Sequence, residues 1–252
     1  MKSLYIILIT LLSPFSSIID IGTDDYEITG VLTVGVYPNL PPYTYEENGE
    51  LKGFEIDLLT EISKRMKVSP EFIPYNYNNE PYNAVKNRDI DCAISSNFLS
   101  AHKNEIKYSR AYLSTYEVIL CSKNSKYYRL EDMKGKKIGV LKFSSSEEKG
   151  KYLLRSMNFI PVSYDNNEIM IEDLISGNID AVITDKRYFN HLQEETDSIR
   201  FVQELDIKYI SIAVNPKNQE LVGKIDKILL EMEKDGTYAK IYEKWFSNAK
   251  SL

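Results

Sequence analysis

Asn87-Arg88-Asp89-Ile90-Asp91-Cys92-Ala93-Ile94-Ser95 and Ser176-Gly177-Asn178-Ile179-Asp180-Ala181-Val182-Ile183-Thr184 are two versions of one phrase. Each reads as a helix end, a polar turn, Ile-Asp, and then a short apolar strand that finishes on a hydroxyl residue. Upstream of the first copy stands Leu32-Thr33-Val34-Gly35-Val36, and upstream of the second Lys137-Ile138-Gly139-Val140. Any chain of strands alternating with helices throws up chance echoes. Two matches in the same order favour two related α/β lobes in series.

Working outward, the first copy closes a run of strand (31–36), proline loop (37–42), turn (Glu46-Glu47-Asn48-Gly49-Glu50), helix (55–67), strand (72–74) and short helix (81–87). Leu58, Leu59, Ile62 and Met66 give the first helix its apolar stripe, a core face. The second copy closes a similar run: strand 137–141, helix 146–157, strand 160–163, helix 169–176 and strand 181–184. A further helix runs through Phe189 and Leu192, and a strand lies at 200–202. Helices between strands imply largely parallel sheets. Extended apolar runs at 117–122 and 209–214 bracket the second half, after which helices return at 221–233 and 238–245. With those last helices packed on the first half, two strands cross between the lobes. The expected division is 28–117 plus 213–252 for lobe 1 and 118–212 for lobe 2, with a cleft between them where a small ligand binds.

The chain has 252 residues, 27% of them charged, with a net charge of −6 and both signs dispersed. No Lys/Arg block recommends a nucleic-acid partner. Two histidines (His102 and His191) and two cysteines (Cys92 and Cys121) form no metal-ligand spacing. Both cysteines sit in apolar β-like runs, where a free thiol acts as a small buried hydrophobe; pairing between them stays open. Neither a metal nor a cofactor is expected. Residues 1–20 read as a secretory signal or a retained anchor: Lys2, an apolar run over 4–12, then Ser13 and Pro14, with cleavage near Ser16 or Ser17. An exported, periplasmic or extracytoplasmic, monomeric protein is expected.

At larger scale the chain resembles family 3 of the bacterial extracellular solute-binding proteins, the amino-acid receptors of ABC importers. The resemblance is carried by Gly53-Phe54-Glu55-Ile56-Asp57-Leu58, Tyr108-Ser109, Leu130-Glu131-Asp132-Met133-Lys134-Gly135-Lys136, and Asp235-Gly236-Thr237-Tyr238 with Tyr242-Glu243-Lys244-Trp245-Phe246, together with the two phrases above. It runs from about residue 31 to 246. It implies a two-lobed Venus-flytrap fold, two three-layer α/β domains joined by two hinge strands. The implied function is binding of a small polar solute, without catalysis, for an ABC permease or another membrane partner. A sensory role beside a membrane protein and a cyclohexadienyl dehydratase-like activity are the alternatives.

The resemblance also implies site residues. Tyr43 and Tyr77 match positions of an aromatic pair that sandwiches the ligand, with Leu40 standing where an aromatic is common; with 19 tyrosines, surface placement is the other reading. Ser95, Ser96 and Asn97 match a stretch that holds the ligand's amine and carboxylate. Ser144, Ser145 and Ser146 open a helix and offer N–H groups and hydroxyls to an anion, or cap that helix. Asp185 matches the carboxylate that takes the ligand's α-amino group, or caps the next helix. The family's carboxylate-gripping arginine is replaced by His102, with Leu99 in place of a nearby threonine. Three outcomes follow: His102 grips when protonated, the ligand lacks that carboxylate, or the serines suffice. A solvent-facing His102 is the remaining alternative.

Overall fold

The repeated phrase is also repeated in space. In the computed structural model, which describes residues 30–95 and 105–246, Ile90 lies over Gly35 and Ile179 lies over Gly139. A Cβ on either glycine would come within 2.5 Å and 2.7 Å of the isoleucine Cδ1. The aspartates match as well. Asp91 donates its N–H to the Thr33 carbonyl and accepts from the Thr33 N–H at 2.7 Å. Asp180 does the same with Lys137, whose N–H it accepts at 2.9 Å. Arg88 and Gly177 end their helices with φ values of 67° and 78°. Each phrase therefore stitches a helix end and a new strand to the start of its lobe's first strand.

Two five-stranded sheets result. The first contains β1 (Val31–Val36), β5 (Ser69–Pro74), β6 (Cys92–Ile94), β7 (Lys107–Tyr108) and β13 (Ala213–Val214), in the order β5-β1-β6-β13-β7. The second contains β8 (Leu113–Ser122), β9 (Lys137–Leu141), β10 (Ile160–Tyr164), β11 (Ala181–Asp185) and β12 (Ile199–Ile210), in the order β10-β9-β11-β8-β12. A small sheet of β2 (Asn39–Leu40), β3 (Thr44–Glu47) and β4 (Glu50–Lys52) leans on the first. In each large sheet three strands pair in parallel and two antiparallel. Pro70 and Pro74, which cannot donate to a ladder, are accommodated because β5 is an edge strand.

Helices α1 (Phe54–Met66), α2 (Glu80–Asn87), α6 (Gln219–Lys234) and α7 (Thr237–Phe246) pack with the first sheet, and α3 (Ser145–Met157), α4 (Asn167–Ser176) and α5 (Lys186–Glu195) with the second. The protein is thus a two-lobed α/β fold. Residues 109–112 and 211–212 run side by side between the sheets, tied by Ser109 N–H to the Ile212 carbonyl, Ile212 N–H to Ser109 Oγ and Tyr112 N–H to the Ile210 carbonyl.

The strands at this junction differ from the reading of the sequence. β8 starts at Leu113 rather than 117, and β12 is one strand of 12 residues rather than two separate runs. Its register against β8 shifts between Phe201 and Gln203 and between Glu204 and Ile207. Bulges of this kind break the two-residue alternation by which a strand is recognised. Cys92 and Cys121 are free, buried, and belong to different sheets.

Candidate functional site at the contact between the lobes

The lobes touch through polar side chains carried on loops and strand ends. Tyr37 donates to the Asp165 carbonyl at 2.8 Å, and Asn167 donates twice to Asn39, from its N–H to Oδ1 at 2.9 Å and from Nδ2 to the carbonyl at 2.7 Å. Asn78 Nδ2 donates to the Phe143 carbonyl at 2.8 Å. Arg187, in the first turn of α5, lies over the Phe246 ring of α7 at 4.6 Å and donates to Tyr242 Oη.

At the centre is Asp185, the last residue of β11, completely buried. Its Oδ1 accepts from Tyr43 Oη at 2.8 Å, from the Arg187 N–H at 2.8 Å and from Thr115 Oγ1 at 3.2 Å. Its Oδ2 lies 3.1 Å from the Lys208 ammonium, yet neither of those two atoms makes a hydrogen bond. The pair is close enough to attract strongly but is not aligned. Asp185, closed off from solvent, thus caps α5 and has its charge faced by Lys208 of the same chain. Sequence reasoning did not anticipate the lysine.

Tyr43 is likewise sealed. Its ring meets Phe246 edge-on at 5.8 Å and is fully buried, so neither face is open for ligand stacking. Burial first, and then the Asp185 charge, push its hydroxyl well above the ordinary phenol range, so it stays a donor. Tyr77 is 46% exposed, beside Asn78 at the lobe contact. Ser95 Oγ donates to Asn78 Oδ1 at 3.1 Å and so orients the amide that crosses to Phe143. Ser144 donates to the Leu141 carbonyl at 2.6 Å and accepts from the Glu147 N–H, which is capping. Ser145 Oγ is buried without a partner, and Ser146 Oγ donates to Glu117 Oε1 at 3.4 Å. Ser96, Asn97 and His102 lie outside the described residues, as do Leu99 and residues 1–29.

The seven described residues singled out from sequence thus gather along one boundary: Tyr43 with Asp185, and Tyr77 and Ser95, through Asn78, near the helix start formed by Ser144, Ser145 and Ser146. Sequence reasoning missed the charged partners. Glu117 is buried and faces Asp185 in the β8–β11 register. Glu55, near the start of α1, is buried and accepts from Thr44 Oγ1 and Tyr112 Oη, both at 2.7 Å. Burial raises its carboxyl to about 7; the two hydroxyls and Lys208 pull it down, and Asp185 pushes it up. A signal was present for Glu117, an acid opening an apolar run, and for Lys208, a lysine between Ile207 and Tyr209.

A two-lobed α/β body that meets across a band of buried polar side chains defines a binding protein of the hinged type. Residues 32–248 match the bacterial extracellular solute-binding proteins, family 3, and the chain belongs to that family. Among relatives, the arginine-binding extracellular protein ArtP of Bacillus subtilis (strain 168) is 28% identical over 225 residues, 87% of each chain. The L-cystine-binding protein TcyJ of Escherichia coli (strain K12) is 27% identical, over 86% of this chain and 83% of its own. An ancestral arginine-binding protein, solved with bound arginine, superposes with a TM-score of 0.80 at 36% identity, covering 87% of this chain and all of that one. No helix among the described residues is long and apolar enough to cross a membrane.

Proposed function

We propose that the protein is an extracytoplasmic receptor that captures an amine-bearing small molecule, an amino acid or a related polar solute, and delivers it to an ABC importer as a monomer. The observation that carries this reading is Asp185. It is a buried carboxylate at the lobe boundary, with one oxygen saturated by three donors and the other facing a cationic nitrogen. A carboxylate so placed is matched to an ammonium group, by charge and by its remaining acceptor capacity. The names of the relatives, binding proteins for arginine and for cystine, support an amino acid as the solute class. On this reading Tyr43 braces Asp185 rather than stacking on the ligand. Tyr77, Ser95 and the serines at Ser144, Ser145 and Ser146 line the remainder of the lobe boundary, and Ser96, Asn97 and His102 keep the ligand-binding role that the family resemblance implies.

Titration calorimetry of the exported chain against L-arginine, L-histidine, L-cystine, L-glutamine and a polyamine tests the reading. One of them is expected to bind, and Asp185→Asn is expected to weaken that binding by about 10- to 100-fold, the worth of one charge-assisted hydrogen bond. Silence from every solute, with a cooperatively folded sample, removes the receptor reading.

A further inference from the structure

Lys208 is placed against the ordinary logic of its strand. On β12, just past the bulge that ends at Ile207, its side chain is 13% exposed, whereas Ile207 and Tyr209 on either side are 46% and 69% exposed. A half-buried strand normally turns its apolar residues inward and its lysines out. Here the strand leaves an isoleucine and a tyrosine in water so that an ammonium can reach Asp185. In the register of the sheet Lys208 lies opposite Thr115, which is itself hydrogen-bonded to Asp185.

The contact it makes is incomplete. Lys208 Nζ is 3.1 Å from Asp185 Oδ2, and no acceptor receives any of its three N–H groups in hydrogen-bond geometry. Its charge is also felt by Glu55, across the lobe boundary, alongside that of Asp185. A buried ammonium held by charge alone forgoes the directional part of the interaction, which a group free to choose its own approach can make. The tethered cation is a resident that a better-aligned one can replace.

We propose that Lys208 is a specificity-determining residue: it holds the place of a ligand's amine at Asp185 and is displaced from it when a solute binds. This rests on the reading of Asp185 as the amine position. Tethering gives the lysine an effective concentration in the millimolar range or above, so a bare amine with no other contacts does not compete. A solute succeeds only if the rest of it is also bound. The cleft thereby rejects ammonium and simple alkylamines while admitting larger solutes that carry the same nitrogen.

The test needs no knowledge of the natural solute. Thermal unfolding of the full chain and of Lys208→Ala is followed with rising ethylammonium chloride, and with sodium chloride at equal ionic strength. The expected result is stabilisation of Lys208→Ala by ethylammonium over sodium, none for the native chain, and none for Lys208→Ala combined with Asp185→Asn. Lys208→Thr, better suited to a strand, replaces the alanine variant if that one does not fold, and folding that requires ethylammonium counts as rescue. Equal response of all variants to the two salts overturns the proposal. For any amino acid that calorimetry finds, Lys208→Ala is expected to bind it about tenfold more tightly or better, because the competitor is gone. Weaker binding would make Lys208 a ligand contact instead, and overturns the stand-in. Rescue by ethylammonium with no amino acid bound would leave the stand-in intact and sink the receptor reading alone.

Discussion

The two lobes repeat one turn and differ where they face each other. Gly35, Ile90 and Asp91 in the first do what Gly139, Ile179 and Asp180 do in the second: an isoleucine seated on a glycine, and an aspartate pinned to the first strand's backbone. At the boundary two buried acids, Glu55 of the first lobe and Asp185 of the second, keep opposite company. Asp185 has an ammonium, a phenol and a helix N-terminus. Glu55 has two hydroxyls. What is shared builds the lobes, and what is not shared belongs to the gap between them.

The contrast between the acids breaks most visibly with pH. The Glu55 carboxyl is raised from its ordinary 4.5 to about 7 in the folded chain. Between those values the folded state holds a proton that the unfolded state has released. Its contribution is therefore complete below about pH 4.5 and is lost as pH rises toward 7, by on the order of 3 kcal/mol. Urea unfolding of the native chain and of Glu55→Gln across this range checks it: the glutamine variant is expected to lack the decline, and an equal slope in both would refute the assignment.

The shared turn is tested by paired substitutions. Asp91→Ala and Asp180→Ala each remove a carboxylate from a backbone N–H, and each is expected to cost about 2 kcal/mol in chemical unfolding. A large loss at one site and none at the other would mean that the two turns are alike in shape only.

A finer distinction lies in the glycines. A Cβ at Gly35 would stand 2.5 Å from Ile90 Cδ1 and 3.0 Å from the rigid Pro81 ring, whereas one at Gly139 would meet Ile179 Cδ1 and Met170 Cγ, both on flexible side chains. Gly35→Ala is therefore expected to lose about 2 kcal/mol and Gly139→Ala about 1 kcal/mol. Differential scanning calorimetry would show the larger fall in Tm for the first; the reverse order would put the backbone, not the neighbours, in control.

The turns were legible because local chemistry writes them: a helix end, a polar bend and an Ile-Asp entry into a strand are all close in sequence. The family resemblance was legible for the same reason, since its segments are contiguous. The boundary was not. Asp185 stood out as a residue type at a position, but its condition depends on Lys208, 23 residues on, and on Tyr43, 142 residues before it. Tyr43 was misread because only the folded chain shows that α7 covers its ring with Phe246. The burial of Glu55, next to Phe54 at the start of a helix, was not read from the sequence, which marked it only as the place where the helix begins. The long strand β12 was split because bulges remove its alternation.

Among the described residues, no ion pair joins one lobe to the other. The links are phenol, amide and peptide groups, the buried Asp185 carboxylate, and one guanidinium resting on an aromatic ring. Interactions of that kind are little affected by dissolved electrolyte, which weakens bonds between exposed charges. The contact between the lobes is therefore expected to hold equally well in dilute water and in brine.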